Sequence, residues 1–146
     1  MGVFDRLFGK GRDAERARKA ELRGELARAV ELFVEADRPA EAARVMVLRG
    51  DAEPDHRARL QHYTLAARTA PEGTEENKLA RKKRALLVLA LSGDVALSAV
   101  HRRDTTDAAL ELEAIGENEA AADAYRKLGD LDGEARALTA AGDVDR

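Results

Sequence analysis

The sequence predicts an all-α protein, a right-handed stack of short antiparallel helix hairpins with about nine helices. Three observations lead there. Ala, Glu, Lys, Leu and Arg fill 88 of the 146 positions, the bias of helix-rich chains. One Ile and nine Val leave little from which to build a sheet. Turn-forming residues recur at a fixed interval: Gly24, Asp37 and Gly50 are 13 residues apart, and so are Gly116, Gly129 and Gly142.

Placing Gly24 on Gly116 aligns two 28-residue stretches without a gap, GELARAVELFVEADRPAEAARVMVLRGD and GENEAAADAYRKLGDLDGEARALTAAGD. Seven positions are identical, among them Glu25/Glu117, Ala29/Ala121, Ala43/Ala135 and Arg44/Arg136, and Phe33 meets Tyr125. The identities coincide with turns and small positions, which marks an internal repeat. Its unit is a helix of about ten residues followed by a turn of about three, with Gly or Asp at the helix C-terminus, where a left-handed residue is often needed.

Taken in order, residues 1–12 form an amphipathic, flexible segment and 13–146 the helical repeat domain. Residues 13–22 form the first helix, whose Leu22 packs against the first repeat. In the repeat, Leu22, Leu26, Ala29, Phe33 and Ala36 step 4-3-4-3, a heptad-like stripe. Breaks every 13 residues cannot sustain the three or four heptads of a coiled coil, so short antiparallel helices are expected. Asp37 and Asp51 suit helix caps, and Pro39 suits a first turn. Pro54–Ala70 reads as one helix. The polar stretch 71–77 is the expected mobile loop. A helix follows over about 74–91, and its end, ALLVLAL at 85–91, is apolar all round, which implies burial on two faces. Ser92-Gly-Asp94 breaks it. Helices at 95–103 and 105–115 lead into the second repeat. The 131–141 helix is rich in small apolar residues, so either a continuation of the array or self-association through this helix is expected.

Gly24, Ala29, Phe33 and Ala36 carry a further signal, repeated by Gly116, Ala121 and Tyr125 with Leu128 in place of the last Ala. This series resembles the tetratricopeptide repeat, in which Gly opens the turn, small residues sit at the helix crossing, and an aromatic fills the gap beside it. The spacing is about 26 residues per helix pair rather than 34, and the Trp-Leu-Gly part of the motif is absent. The chain therefore looks like a degenerate, short-spaced member of that class. The resemblance implies an α-solenoid whose groove takes a peptide or helix of another protein.

Composition and motifs exclude several functions. The chain has no Cys, so disulfides, thiolate metal sites and Cys nucleophiles are absent. His56 and His62 lie six apart on one expected helix, which cannot form the i, i+4 pair of a zinc helix. No phosphate loop or nucleophile elbow is present. No catalytic, cofactor-binding or metal-ligating residues are assigned, and a non-catalytic protein without cofactor is expected.

Charge is unevenly spread. Residues 1–103 hold 21 basic and 16 acidic residues, whereas 104–146 hold 4 and 12. The basic excess is concentrated in Lys78, Arg81, Lys82 and Arg84, with Arg102 and Arg103 further on. These six are the candidate partner-binding residues, for an acidic protein partner or for the chain's own acidic C-terminal part. The alternative function is a regulatory nucleic-acid-binding module using this central helix. It is disfavoured by a net charge of −3 and by the scarcity of aromatics for stacking. At the N-terminus, Val3/Leu7 and Phe4/Phe8 are i, i+4 pairs. Phe4, Leu7 and Phe8 are thus a candidate docking or membrane-surface foot, with Gly9–Arg12 as its hinge. No apolar run approaches the roughly 20 residues of a membrane span. The expected protein is a cytoplasmic, bacterial scaffold for protein–protein interaction.

Overall fold

The computed structural model describes the backbone over residues 3–93 and 98–144, and the side chains over 9–93 and 98–142. Among the described residues there are eight α-helices and no strand. They are α1 (Val3–Leu22), α2 (Leu26–Glu35), α3 (Pro39–Ala52), α4 (His56–Thr69), α5 (Glu75–Ser92), α6 (Ala99–Ala114), α7 (Asn118–Leu128) and α8 (Leu131–Val144). Contacts divide the chain into two compact units, Met1–Ala80 and Arg81–Arg146.

The internal repeat survives in backbone detail within each unit. In the first, the Gly24 N–H donates to the Glu21 carbonyl and the Glu25 N–H to the Ala20 carbonyl, both at 2.9 Å. In the second, Gly116 donates to Glu113 and Glu117 to Leu112, at 3.1 and 2.9 Å. This double bond satisfies the last carbonyls of a helix and requires a left-handed residue at its centre. Gly24 and Gly116 supply it with φ of 78° and 82°. The next turn repeats the device with Asp37 (φ 60°) and Gly129 (φ 72°). Even the residues that open the second helix match, Glu25 at φ −82°, ψ 68° and Glu117 at φ −83°, ψ 66°.

Burial follows the same register. α2 buries Ala29, Val30, Leu32 and Phe33, and α7 buries Ala121, Ala122, Ala124 and Tyr125 at the corresponding positions. Ala29 and Ala121 are both fully inaccessible, as small residues between closely approaching helices should be. In the first unit, α3 packs on both α2 and α4. The core of the second unit gathers Leu89, Leu112 and Tyr125 among alanines of α5 to α8.

Leu22, expected to pack against the first repeat, is 88% exposed, and the expected caps do not form: α3 starts without a side-chain cap, and Asp51 lies inside α3 while Asp55 caps α4. The element map itself differs from the expected one in four places. Eight helices rather than nine are found among the described residues, because one helix, Ala99–Ala114, takes the place of the pair at 95–103 and 105–115. No Gly or Pro interrupts it, and Ser98 caps its start by accepting from the His101 N–H. α1 begins at Val3 and passes unbroken through Gly9 and Gly11, the expected hinge. Gly50 and Gly142 are not breaks but helical residues of α3 and α8. Finally, the 71–77 stretch is only partly a loop, because residues 75–77 already belong to α5. Only residues 70–74 turn, and Thr74 ties them by donating to the Pro71 carbonyl (2.6 Å) and accepting from the Asn77 N–H (3.2 Å).

Candidate functional site

Within the first unit, the α1–α2 turn and the end of α3 border an open cleft of about 540 Å³. Its rim comes from the left-handed Gly24 and the first turn of α2, which presents Leu26 and Arg28. The opposite wall is Arg49 and Glu53 from the end of α3, with His62 of α4 behind them. A recess of about 100 Å³ adjoins it, sharing Glu25 and Arg28 and adding Arg16, Lys19 and Arg23.

The cleft rests on a fixed frame. Glu21 and Arg44 join α1 to α3 through two hydrogen bonds of 2.6 and 2.8 Å. The Arg44 guanidinium holds the Glu21 carboxyl below the usual carboxylate range, against a smaller opposing effect of burial. At the other wall, the Arg59 guanidinium donates twice to the Glu53 carbonyl, at 2.9 and 2.7 Å. Asp55 caps α4 by accepting from the Ala58 N–H at 2.9 Å. The Tyr63 hydroxyl donates to Asp51 at 2.5 Å. Burial first, and then Asp51, push that phenol up to about 12. The Tyr63 ring occupies the space that a side chain at Gly50 would need; a Cβ there would stand 2.5 Å from the ring.

The free charges around the cleft are of both signs, since the carboxylates of Glu25 and Glu53 line it beside the arginines and form no ion pair among the described residues. Arg23 and Arg28 are exposed and form no ion pair among the described residues. Arg16 and Lys19 make only long contacts to Asp13 (3.5 Å) and Glu15 (3.8 Å), of the kind that contributes little. His62 is held toward its neutral form, mainly by burial and then by the Arg49 cation, with Glu53 opposing. An anionic group entering here meets several unspent guanidinium donors over an apolar strip formed by Leu26, Ala27 and Ala52.

The six basic residues singled out from the sequence are placed elsewhere. Arg81 and Arg84 converge on one carboxylate, Glu111 of α6, at 2.7 and 2.8 Å. Lys82 reaches Glu117 at 3.2 Å, and Lys78 sits 3.8 Å from Glu75 in its own helix. Arg102 donates to the Leu128 carbonyl at 3.0 Å, and Arg103 is exposed on α6. Four of the six are therefore matched to groups in the acidic C-terminal part of the chain. The side chains of Phe4, Leu7 and Phe8 lie outside the described residues. The cleft residues Arg23, Arg28, Arg49 and His62 were not legible as a group. Their only sequence signal was that Arg23 and Arg49 each stand beside a glycine of the 13-residue period.

Among the described residues no group of His, Asp and Glu is arranged to hold a metal ion, and no helix is long and apolar enough to cross a membrane. No protein-family model, no curated protein and no solved structure matches the chain.

Proposed function

We propose that this chain is a non-catalytic, cytoplasmic binding module of tetratricopeptide-like design, a right-handed stack of helix hairpins that takes an acidic peptide or helix of a partner protein. The observation that carries this reading is the cleft beside Gly24, where an apolar strip is lined by Arg28 and Arg49 together with Glu25 and Glu53, and where the adjoining recess adds Arg16, Lys19 and Arg23. A peptide laid there covers Leu26 and exchanges water for the guanidinium donors at its carboxylates. The frame of Glu21–Arg44 and Arg59–Glu53 keeps the walls in place before binding, which lowers the ordering cost.

A displayed library of random peptides tests the reading directly. Selection on the wild-type chain should enrich acidic sequences with an apolar anchor, and these should lose most of their binding to Arg28→Glu. Absence of enrichment, or enriched peptides indifferent to Arg28→Glu and Arg49→Glu together, refutes it. Both positions are exposed or half-exposed, so the variants retain the core.

A further inference from the structure

The recess beside the cleft is where the two copies of the repeat part in charge. Residues 16, 19 and 23 recur at i, i+3 and i+7 and so share one stripe of α1, while 25, 28 and 32 share the facing stripe of α2. Arg16, Lys19, Arg23 and Arg28 therefore border one seat of about 100 Å³, against Glu25 as the one carboxylate that lines it. The buried Ala20 and Leu32 complete the lining.

The same places in the second copy, 92 positions on, hold Ala108, Glu111, Ile115 and Ala120, with Glu117 for Glu25. Both copies keep the turn glycine, the glutamate–arginine clamp and the buried crossing alanine, so this hairpin forms without any of the four cations. In the second copy the acidic side chains are answered within their own unit. Arg81 and Arg84 of α5 converge on Glu111, and Lys82 reaches Glu117 at 3.2 Å. In the first copy the sign is reversed, and the cations are left over. Arg23 and Arg28 form no ion pair among the described residues. Arg16 and Lys19 make only their long contacts to Asp13 and Glu15, neither of which lines the recess.

Charge and size define the occupant. A further carboxylate brings one charge and two oxygens, too little for four cations that already share Glu25. A phosphate monoester carries a charge of about −1.5 to −2 near pH 7 and three strong acceptor oxygens. Guanidinium forks match that geometry, and a lysine adds a point charge. About 100 Å³ holds roughly three waters at about 30 Å³ each, which is room for a phosphoryl group but not for a ring system.

We propose that this recess seats the phosphoryl group of a phosphorylated serine or threonine in the peptide that occupies the adjoining cleft, with Lys19, Arg23 and Arg28 as its ligands. The proposal rests on the cleft reading and adds to it the class of peptide. Glu25 and Arg28 border both cavities, so one short side chain reaches from the cleft into the recess.

Three synthetic bead libraries test it, with phosphoserine, aspartate or serine fixed between random positions, each incubated with the fluorescently labelled full chain. Phosphoserine beads should capture about tenfold more protein than aspartate beads. Lys19→Ala combined with Arg23→Ala should remove that preference and leave capture by serine beads unchanged. Arg49→Glu, in the cleft alone, should lower capture by all three. Equal capture by phosphoserine and aspartate beads, or a preference that survives the double variant, overturns the phosphate seat and leaves the cleft reading standing. Capture by none of the libraries overturns both. Phenyl phosphate, titrated at constant ionic strength, separates a free phosphate from a peptide-borne one. If it binds as tightly as the selected phosphopeptides, the recess belongs to small phosphates and the peptide assignment falls. Lys19 and Arg23 are exposed, so the double variant leaves the core intact, and circular dichroism verifies that it does.

Discussion

The Arg136 guanidinium stands on Glu113 as Arg44 stands on Glu21. In each pair the arginine of the third helix grips both carboxylate oxygens of the residue three before the turn glycine. The distances are 2.6 and 3.1 Å in one copy and 2.6 and 2.8 Å in the other. Both partners lie 92 positions apart between the copies. The repeat thus preserves a bidentate clamp between its first and third helices as well as its turns. A planar guanidinium suits this role better than an ammonium, since it meets both oxygens at fixed geometry. In the second copy, Tyr125 adds its hydroxyl to Glu113, where Phe33 has none to offer.

The clamp makes stability acid-sensitive. The hydrogen bonds from Arg136 and then from Tyr125 bring the Glu113 carboxyl down to about 2. Arg44 lowers Glu21, and Arg81 with Arg84 lowers Glu111. A carboxyl depressed in the folded state binds a proton less readily there than in the unfolded chain. Its contribution is therefore present above about pH 4.5 and is lost as pH falls toward about 2. Urea midpoints measured across that window should decline, and Glu113→Gln should flatten the decline. An equal slope in the variant would assign the acid sensitivity to other groups.

Overpacking the two crossings should be costly in both units. Ala29→Leu and Ala121→Leu insert a side chain where none of the residue's surface reaches solvent. Each should lose about 1–3 kcal/mol in chemical denaturation. Ala27→Leu, on the exposed side of α2, is the control and should change stability by less than about 0.5 kcal/mol.

The glycines at equivalent positions in α3 and α8 should respond with opposite sign. Gly50→Ala drives a methyl into the Tyr63 ring and should cost about 1–3 kcal/mol. Gly142→Ala meets open space on a helix and should gain about 0.5 kcal/mol through backbone entropy. Thermal midpoints moving in the same direction would contradict the difference between the two faces.

The left-handed turn positions should also separate. Asp37 adopts a φ of 60° that costs an L-residue energy, so Asp37→Gly should stabilise by about 0.5–1 kcal/mol. It loses only the exposed 3.3 Å contact to Lys10. Gly129→Ala takes on the same strain in reverse and should destabilise by about 1 kcal/mol. Hydrogen exchange at the α2–α3 and α7–α8 turns reports each change locally.

Local rules acting within a few residues were legible in the sequence. The helical class, the repeat offset, the left-handed turns at Gly24, Asp37, Gly116 and Gly129, and the burial of Ala29 and Ala121 all follow from residue type and spacing. They are set by backbone sterics and by the period of one helix, which neighbouring residues suffice to define. The tertiary structure decided everything that depends on which helix lies opposite which. Gly50 looked like a turn because glycine weakens helices, but the ring of Tyr63, thirteen residues on, occupies the space of its missing Cβ. Arg81 and Arg84 looked like an outward basic patch because sequence counts charges without their partners; Glu111, some thirty residues away, receives both. Arg23, Arg28 and Arg49 gave no collective signal, since only the packing of α3 and α4 beside the first turn brings them to one cleft. Pairings at such separations depend on side-chain volume and on the direction in which each helix leaves its turn, and a linear pattern encodes neither until the chain has folded.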